Sequence, residues 1–255
     1  MLTRSIGSVL ILAGVALTLV LARPAVEAQA FAKRITETPI ADAPSFAKYA
    51  LVIGVSDYDS CAQLPACTND AKDFAALLKS KYGFDNVVLM TDDPASEPRL
   101  RPTEAHIFKA LKVMFGGILK NKSEVVYYFS GHGTRAKDPA GNDADFLVPE
   151  DADPNDIADT CVSYDHVKAK LDTLQPRRLL LITDACRDLL GNKSVASSGF
   201  GKGINQVTLG PEVAELESCL PTETSLVGEP ADFNESVFTH LLIKGLAGDP
   251  EAVNA

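Results

Sequence analysis

No two cysteines stand at CxxC spacing and none sits with a histidine in a zinc-ligand pattern, which argues against a structural metal site built on thiolates. Cations are scarce: 24 Lys and Arg face 34 Asp and Glu, for a formal charge of −10. Sequence-independent attachment to phosphate backbones needs clustered Lys and Arg, so nucleic acid is not an expected partner. A long apolar run occurs once, at the N-terminus, which excludes a chain that spans a membrane many times. There is no internal repeat, and GFGKG at 199–203 precedes no clear helix and lacks the full phosphate-loop pattern, so it reads as flexible linker. What is present is ordinary for a globular protein: 46% hydrophobic and 23% charged residues in 255, enough for one main domain.

The N-terminal run has three parts: the basic start MLTRS, the apolar IGSVLILAGVALTLVLA, and a stretch ending in small residues at Ala28 and Ala30. That is the plan of a secretory signal peptide over residues 1–30, with cleavage expected after Ala30 and a secreted or periplasmic product. The alternative is an uncleaved membrane anchor formed by residues 6–22. Removing Arg4, Arg23 and Glu27 would make the mature chain one charge more negative. The acidic balance suits cationic substrates, although most such charges simply solvate a surface.

Five cysteines, at 61, 67, 161, 186 and 219, leave at least one unpaired in an oxidising compartment. Cys61 and Cys67 are close enough in sequence for a small disulfide. Cys161 and Cys219 could pair or stay as thiols. Cys186 is the candidate for the free one.

Along the chain, apolar β-rich runs alternate with helical periodicity. Residues 31–48 read as a tether. YALVIGV (49–55), VVLMT (87–91), VVYYFS (125–130) and RRLLLITDAC (177–186) read as strands. Helices are expected in TNDAKDFAALLKSKYG, opened by Thr68 and Asn69 and closed at Gly83; in 103–120; in SYDHVKAKLDTL, capped by Ser163; and in SVFTHLLIKGLAG. DFLVPED and EVAELESC read as short strands, and the Gly- and Ser-rich stretch after Cys186 as a long loop. Strands joined through single helices imply right-handed crossovers, hence an α/β fold with a mostly parallel central sheet flanked by helices. The domain is expected over 49–255, with a C-terminal end that is short or truncated for such a sheet.

Two stretches carry chemistry. VVYYFSGHGTR and LLLITDACRD are apolar runs that end in His132, held between glycines, and in Cys186. A thiol attacks carbonyls as the thiolate, so a catalytic cysteine needs a nearby base. If the two strands are neighbours, both residues reach the carboxyl edge of the sheet, where open α/β sheets keep their chemistry. The glycines are expected to give a tight loop with backbone N–H groups free for an oxyanion. Asp184, two positions before Cys186, should share its face of the strand.

These motifs resemble the two active-site motifs of the caspase-like cysteine peptidases, and YALVIGVSDY…CTNDAKDFAALLKSKYGF…VVLMTDD resembles the first part of that domain. The likeness is greatest to the bacterial metacaspase-like and orthocaspase-like branch. It implies a caspase-like three-layer sandwich and a cysteine endopeptidase acting on proteins or peptides. His132 would be general base and acid, Cys186 the nucleophile, and the amides of Gly133 and Cys186 the oxyanion hole. Asp184, Asp70 and Ser130 match the residues that line the substrate pocket, and acids there imply cleavage after Arg or Lys. Arg187 and Asp188 depart from the His-Ser-Gly that often follows the cysteine in eukaryotic metacaspases. The loop beyond Cys186 corresponds to a linker that many members cut, and it offers Arg187, Lys193 and Lys202.

The dyad chemistry requires no cofactor. Calcium as an activator is a further expectation, because 137–159 holds eight carboxylates and one lysine. Asp143 and Asp145 are its candidate ligands, although the spacing fits loosely and DADPND lacks the glycine and distal glutamate of an EF-hand. The rival readings are a catalytically inactive interaction module with the same fold, and a thiol hydrolase for esters or small amides.

Overall fold

The computed structural model describes residues 46–114, 116, 118, 120–187, 213–218 and 234–250, with backbone alone at 114, 186 and 187. The leader, most of the tether, the loop after Cys186 and Cys219 lie outside the described residues. One compact unit covers Phe46–Ala247. Its strands are β1 (Ala47–Gly54), β2 (Asn86–Thr91), β3 (Ser123–Lys137), β4 (Asp143–Leu147), β5 (Val162–Ser163), β6 (Arg178–Arg187) and β7 (Val213–Glu217). Its helices are α1 (Cys67–Tyr82), α2 (Glu104–Met114), α3 (Ile157–Thr160), α4 (Tyr164–Thr173) and α5 (Val237–Ala247).

The order β2-β1-β3-β6-β7 is parallel throughout, and β4 and β5 add antiparallel beside the last stretch of β3. Alternation along the strands divides the core in two. Ala50, Val52, Val126, Tyr128, Leu180 and Ile182 pack under α1 and α5. Leu51, Ile53, Tyr127, Phe129, Leu179 and Leu181 pack under α2 and α4. This mostly parallel sheet between helical layers matches the expected α/β class.

Several local expectations are revised. Thr68 and Asn69 do not cap α1: the helix begins at Cys67, the Thr68 amide donates to Ser56 Oγ (2.9 Å), and the Thr68 hydroxyl donates to Asp92. At the other end the helix closes at Gly83 as expected, and Gly83 takes the left-handed conformation at φ 66°. Helix α2 stops at Met114 rather than 120, because Gly116 and Gly117 follow and glycine is costly in a helix. Ser163 does cap α4, accepting from the His166 amide.

The largest revision concerns the histidine motif. Its strand was expected to end at Ser130, yet β3 runs on through GHGTRAK to Lys137, whereas β6 ends at Arg187, one residue beyond the strand expected over 177–186. The backbone of Gly133–Lys137 finds a partner in β4 across the turn Asp138–Asn142, which Gly141 closes at φ 86°. The strand continues through this pairing, so no tight loop forms around His132.

Candidate active site

The chain leaves β1 toward β2 on one side, while β3 lies on the other. The carboxyl ends of β1 and β3 thus flank a topological switch point, the usual crevice of an open α/β sheet. Gly54 closes β1 here, and a Cβ at that position would lie 2.3 Å from the Cys67 carbonyl oxygen. Its absence lets α1 start directly above the strand and brings Asp70, in the first turn, over the sheet.

Parallel register between β3 and β6 sets Ser130 opposite Asp184 and His132 opposite Cys186. The sheet therefore brings together the two residues that the sequence placed far apart. The His132 ring is held from the loop after β1. Its Nε2 lies 2.8 Å from the Ala62 carbonyl oxygen, and its ring packs on Tyr58 at 4.8 Å between centroids. A carbonyl only accepts, so Nε2 carries the hydrogen and Nδ1 keeps the lone pair of the neutral ring. The Tyr58 hydroxyl accepts from the His132 amide at 2.7 Å. Gly131 is required for this: a Cβ there would stand 2.7 Å from the Tyr58 oxygen. The glycine beside the histidine thus makes space for a tyrosine; its φ is not positive. Gly133 lies within β3, in register with Leu147 and Arg187.

Asp70, Ser130 and Asp184 form one buried cluster, as the sequence suggested. Ser130 donates to Asp70 Oδ2 at 2.8 Å. The start of α5 completes it. The Ser236 amide donates to Asp70 Oδ1 at 2.8 Å, the Ser236 hydroxyl donates to Asp184, and Thr239 Oγ1 donates to Asp184 Oδ2 at 3.0 Å. Burial pushes the Asp70 carboxyl up to about 7, against the pull of the Ser236 and Ser130 donors. Cys67 is buried in the same neighbourhood, where desolvation raises its thiol well above the usual range.

The Cys61–Cys67 disulfide that the spacing allowed does not form, and both residues carry free thiols. Cys67 opens α1 beside Ser130, whereas Cys61 packs against the core under α2 and α4. Cys161 is likewise a free thiol, pushed up to about 12 by burial.

Asp143 and Asp145 are engaged elsewhere. Each faces a cation across the β3–β4 ladder: Lys137 Nζ is 2.8 Å from Asp143, and Arg135 Nε is 3.8 Å from Asp145. Among the described residues no three His, Cys, Asp or Glu form a group able to hold a metal. These residues do not fit a calcium site.

Sequence reasoning gave no role to Tyr58, Ala62, Asp92, Ser236 or Thr239. Asp92 receives the amides of Ser56 and Asp57 and the hydroxyl of Thr68, which ties the end of β2 to the loop that carries Tyr58 and Ala62. A serine at the start of an expected helix was a signal for Ser236; a backbone carbonyl such as Ala62 leaves none.

Residues 47–251 match the family model of the caspase domain, the C14 peptidase family. The chain belongs to the caspase-domain family. The caspase domain here is similar to metacaspase-1A of Neurospora crassa, 37% identical over 98 residues, or 38% of this chain and 21% of the relative. Metacaspase-1A of Aspergillus oryzae is 33% identical over 142 residues, 54% of this chain and 33% of the relative. The matched stretches span between a fifth and a third of these relatives' length. Caspase-1 of Spodoptera frugiperda shares the fold, with a TM-score of 0.53, 15% identity and coverage of 80% of this chain and 69% of that one.

Proposed function

We propose that this caspase domain is an exported cysteine endopeptidase that cleaves proteins or peptides after Arg or Lys, its leader 1–30 being removed on export. The observation that carries this reading is the buried acid cluster of Asp70 and Asp184 beside the register that aligns His132 with Cys186. A cationic side chain entering that cluster would place the following peptide bond at the carboxyl ends of β3 and β6.

The proposed chemistry uses protein groups alone. His132 Nδ1 takes the Cys186 thiol proton, and the sulfur attacks the scissile carbonyl carbon, whose oxygen becomes an anion facing the Gly133 and Cys186 amides. The C–N bond then breaks, the leaving amine takes the proton from His132, and a thioester remains. Water, deprotonated by His132, hydrolyses the thioester and returns the thiol. The Ala62 carbonyl keeps the ring turned so that Nδ1 serves throughout.

The test is hydrolysis of peptides that differ only at P1, with Arg, Lys, Asp or citrulline. Cleavage after Arg and Lys is expected. Cleavage after Asp would overturn the pocket reading, and a folded protein that cut none of them would favour the inactive interaction module.

Asp70 adds a pH signature. Below about pH 7 its carboxyl is protonated and loses its attraction for a cation; above that it is charged. For an Arg peptide, kcat/KM should therefore rise with pH through about 7 more steeply than for the citrulline peptide, which shares only the dyad's own titration. In Asp70→Asn the two pH profiles should become parallel.

A further inference from the structure

We propose that Thr239, backed by Tyr128, is a positioning residue that sets the preference for a cationic P1 side chain by fixing the rotation of the Asp184 carboxylate. The inference rests on the pocket reading above. It concerns two residues whose positions in sequence, one within an amphipathic helix and one within a core strand, suggest packing alone.

Thr239 and Tyr128 are both fully buried. Thr239 Oγ1 lies 3.0 Å from Asp184 Oδ2 and 2.6 Å from the Tyr128 hydroxyl. A threonine hydroxyl has one hydrogen, and a carboxylate can only accept it. The contact with Tyr128 must therefore be donation from tyrosine to threonine, which makes an ordered relay from Tyr128 through Thr239 to Asp184. Burial raises the Tyr128 phenol far above its usual range and keeps it a donor. Tyr128 is itself immobilised: it stacks on Phe74 at 4.5 Å and sits in β3 between Val52 and Ile182.

The relay matters because two carboxylates share this pocket. Buried like charges repel, and donors to the charged form offset the cost of burial. Asp70 receives Ser130 and the Ser236 amide, while Asp184 receives the hydroxyls of Ser236, just before α5, and of Thr239, within it. A carboxylate gripped at Oδ2 by hydroxyls anchored in the core cannot swing toward another partner when a guanidinium enters.

Thr239→Val isolates the role. Valine has the same shape, and the helix-capping bond from the Thr239 amide to Ser236 Oγ, at 3.1 Å, uses the backbone and survives. For an Arg peptide we expect KM to rise about 10-fold with kcat little changed, since a hydrogen bond to a charged group is lost. The citrulline peptide should be unaffected, so the Arg-to-citrulline ratio falls. Thr239→Ser should restore it, and Tyr128→Phe should lower it in the same direction by less. An unchanged ratio in Thr239→Val, or no rescue by serine, would overturn the proposal. Should the valine variant fail to fold, Tyr128→Phe, which keeps the ring, decides the matter.

Benzamidine binding by calorimetry needs no turnover. A wild type that binds benzamidine yet cuts no peptide would sink the peptidase reading alone, and a 10-fold affinity loss in Thr239→Val would still support the relay. A wild type that binds no benzamidine and shows no P1 preference would overturn both.

Discussion

Cys186→Ala is expected to lower kcat/KM for an Arg peptide by about 10⁴-fold or more, with an unchanged circular dichroism spectrum. Alanine removes the only group proposed to form a bond with substrate, and the oxyanion donors alone leave a small residual rate. His132→Ala should cost a comparable factor, because without the base the thiol is mostly protonated and the leaving amine lacks a proton donor. The double variant should be no worse than the poorer single one, since residues that act as one unit are non-additive. Steady-state kinetics on the three variants checks this. Additive losses would mean that the two residues do not work together, despite lying opposite each other in register. Tyr58 and the Ala62 carbonyl give the histidine its place, so these losses need no change in fold.

Asp184→Asn should cost about 100- to 1,000-fold in kcat/KM for the Arg peptide, while the citrulline peptide changes little. Leaving one partner of a buried charge pair unmatched costs about 2–5 kcal/mol, and each 1.4 kcal/mol is tenfold. The side chain is almost wholly buried, so solvent would not compensate a guanidinium drawn into the pocket. Asparagine keeps the shape and can still accept from Ser236 and Thr239 through its carbonyl oxygen, which favours folding. Equal losses for the Arg and citrulline peptides would make Asp184 a structural acid, and cleavage after Arg would then need another explanation.

Much of the architecture was legible in the residues themselves. Continuous β-rich runs separated by helical periodicity require a parallel sheet covered on both faces, because each crossover lays a helix on the sheet. Asp184 and Cys186 are two apart on a strand, and the paired motifs around His132 and Cys186 marked the crevice. The acidic stretch misled: Asp143 and Asp145 alternate along a hairpin strand and face Lys137 and Arg135. The spacing of Cys61 and Cys67 allowed a disulfide that does not form, since Cys67 opens α1 beside Ser130 while Cys61 packs against the core under α2 and α4.

The sequence by itself determined the chemical types and their local periodicity, because those depend on neighbours a few residues away. Only the tertiary structure decided which strand ends meet, which glycine makes room for Tyr58, and that Ser236 and Thr239 reach Asp70 and Asp184 from the far end of the chain. Those contacts join residues separated by much of the chain. They exist because buried carboxylates must find donors, and the donors nearest in space belong to a helix packed there for the sake of its apolar face.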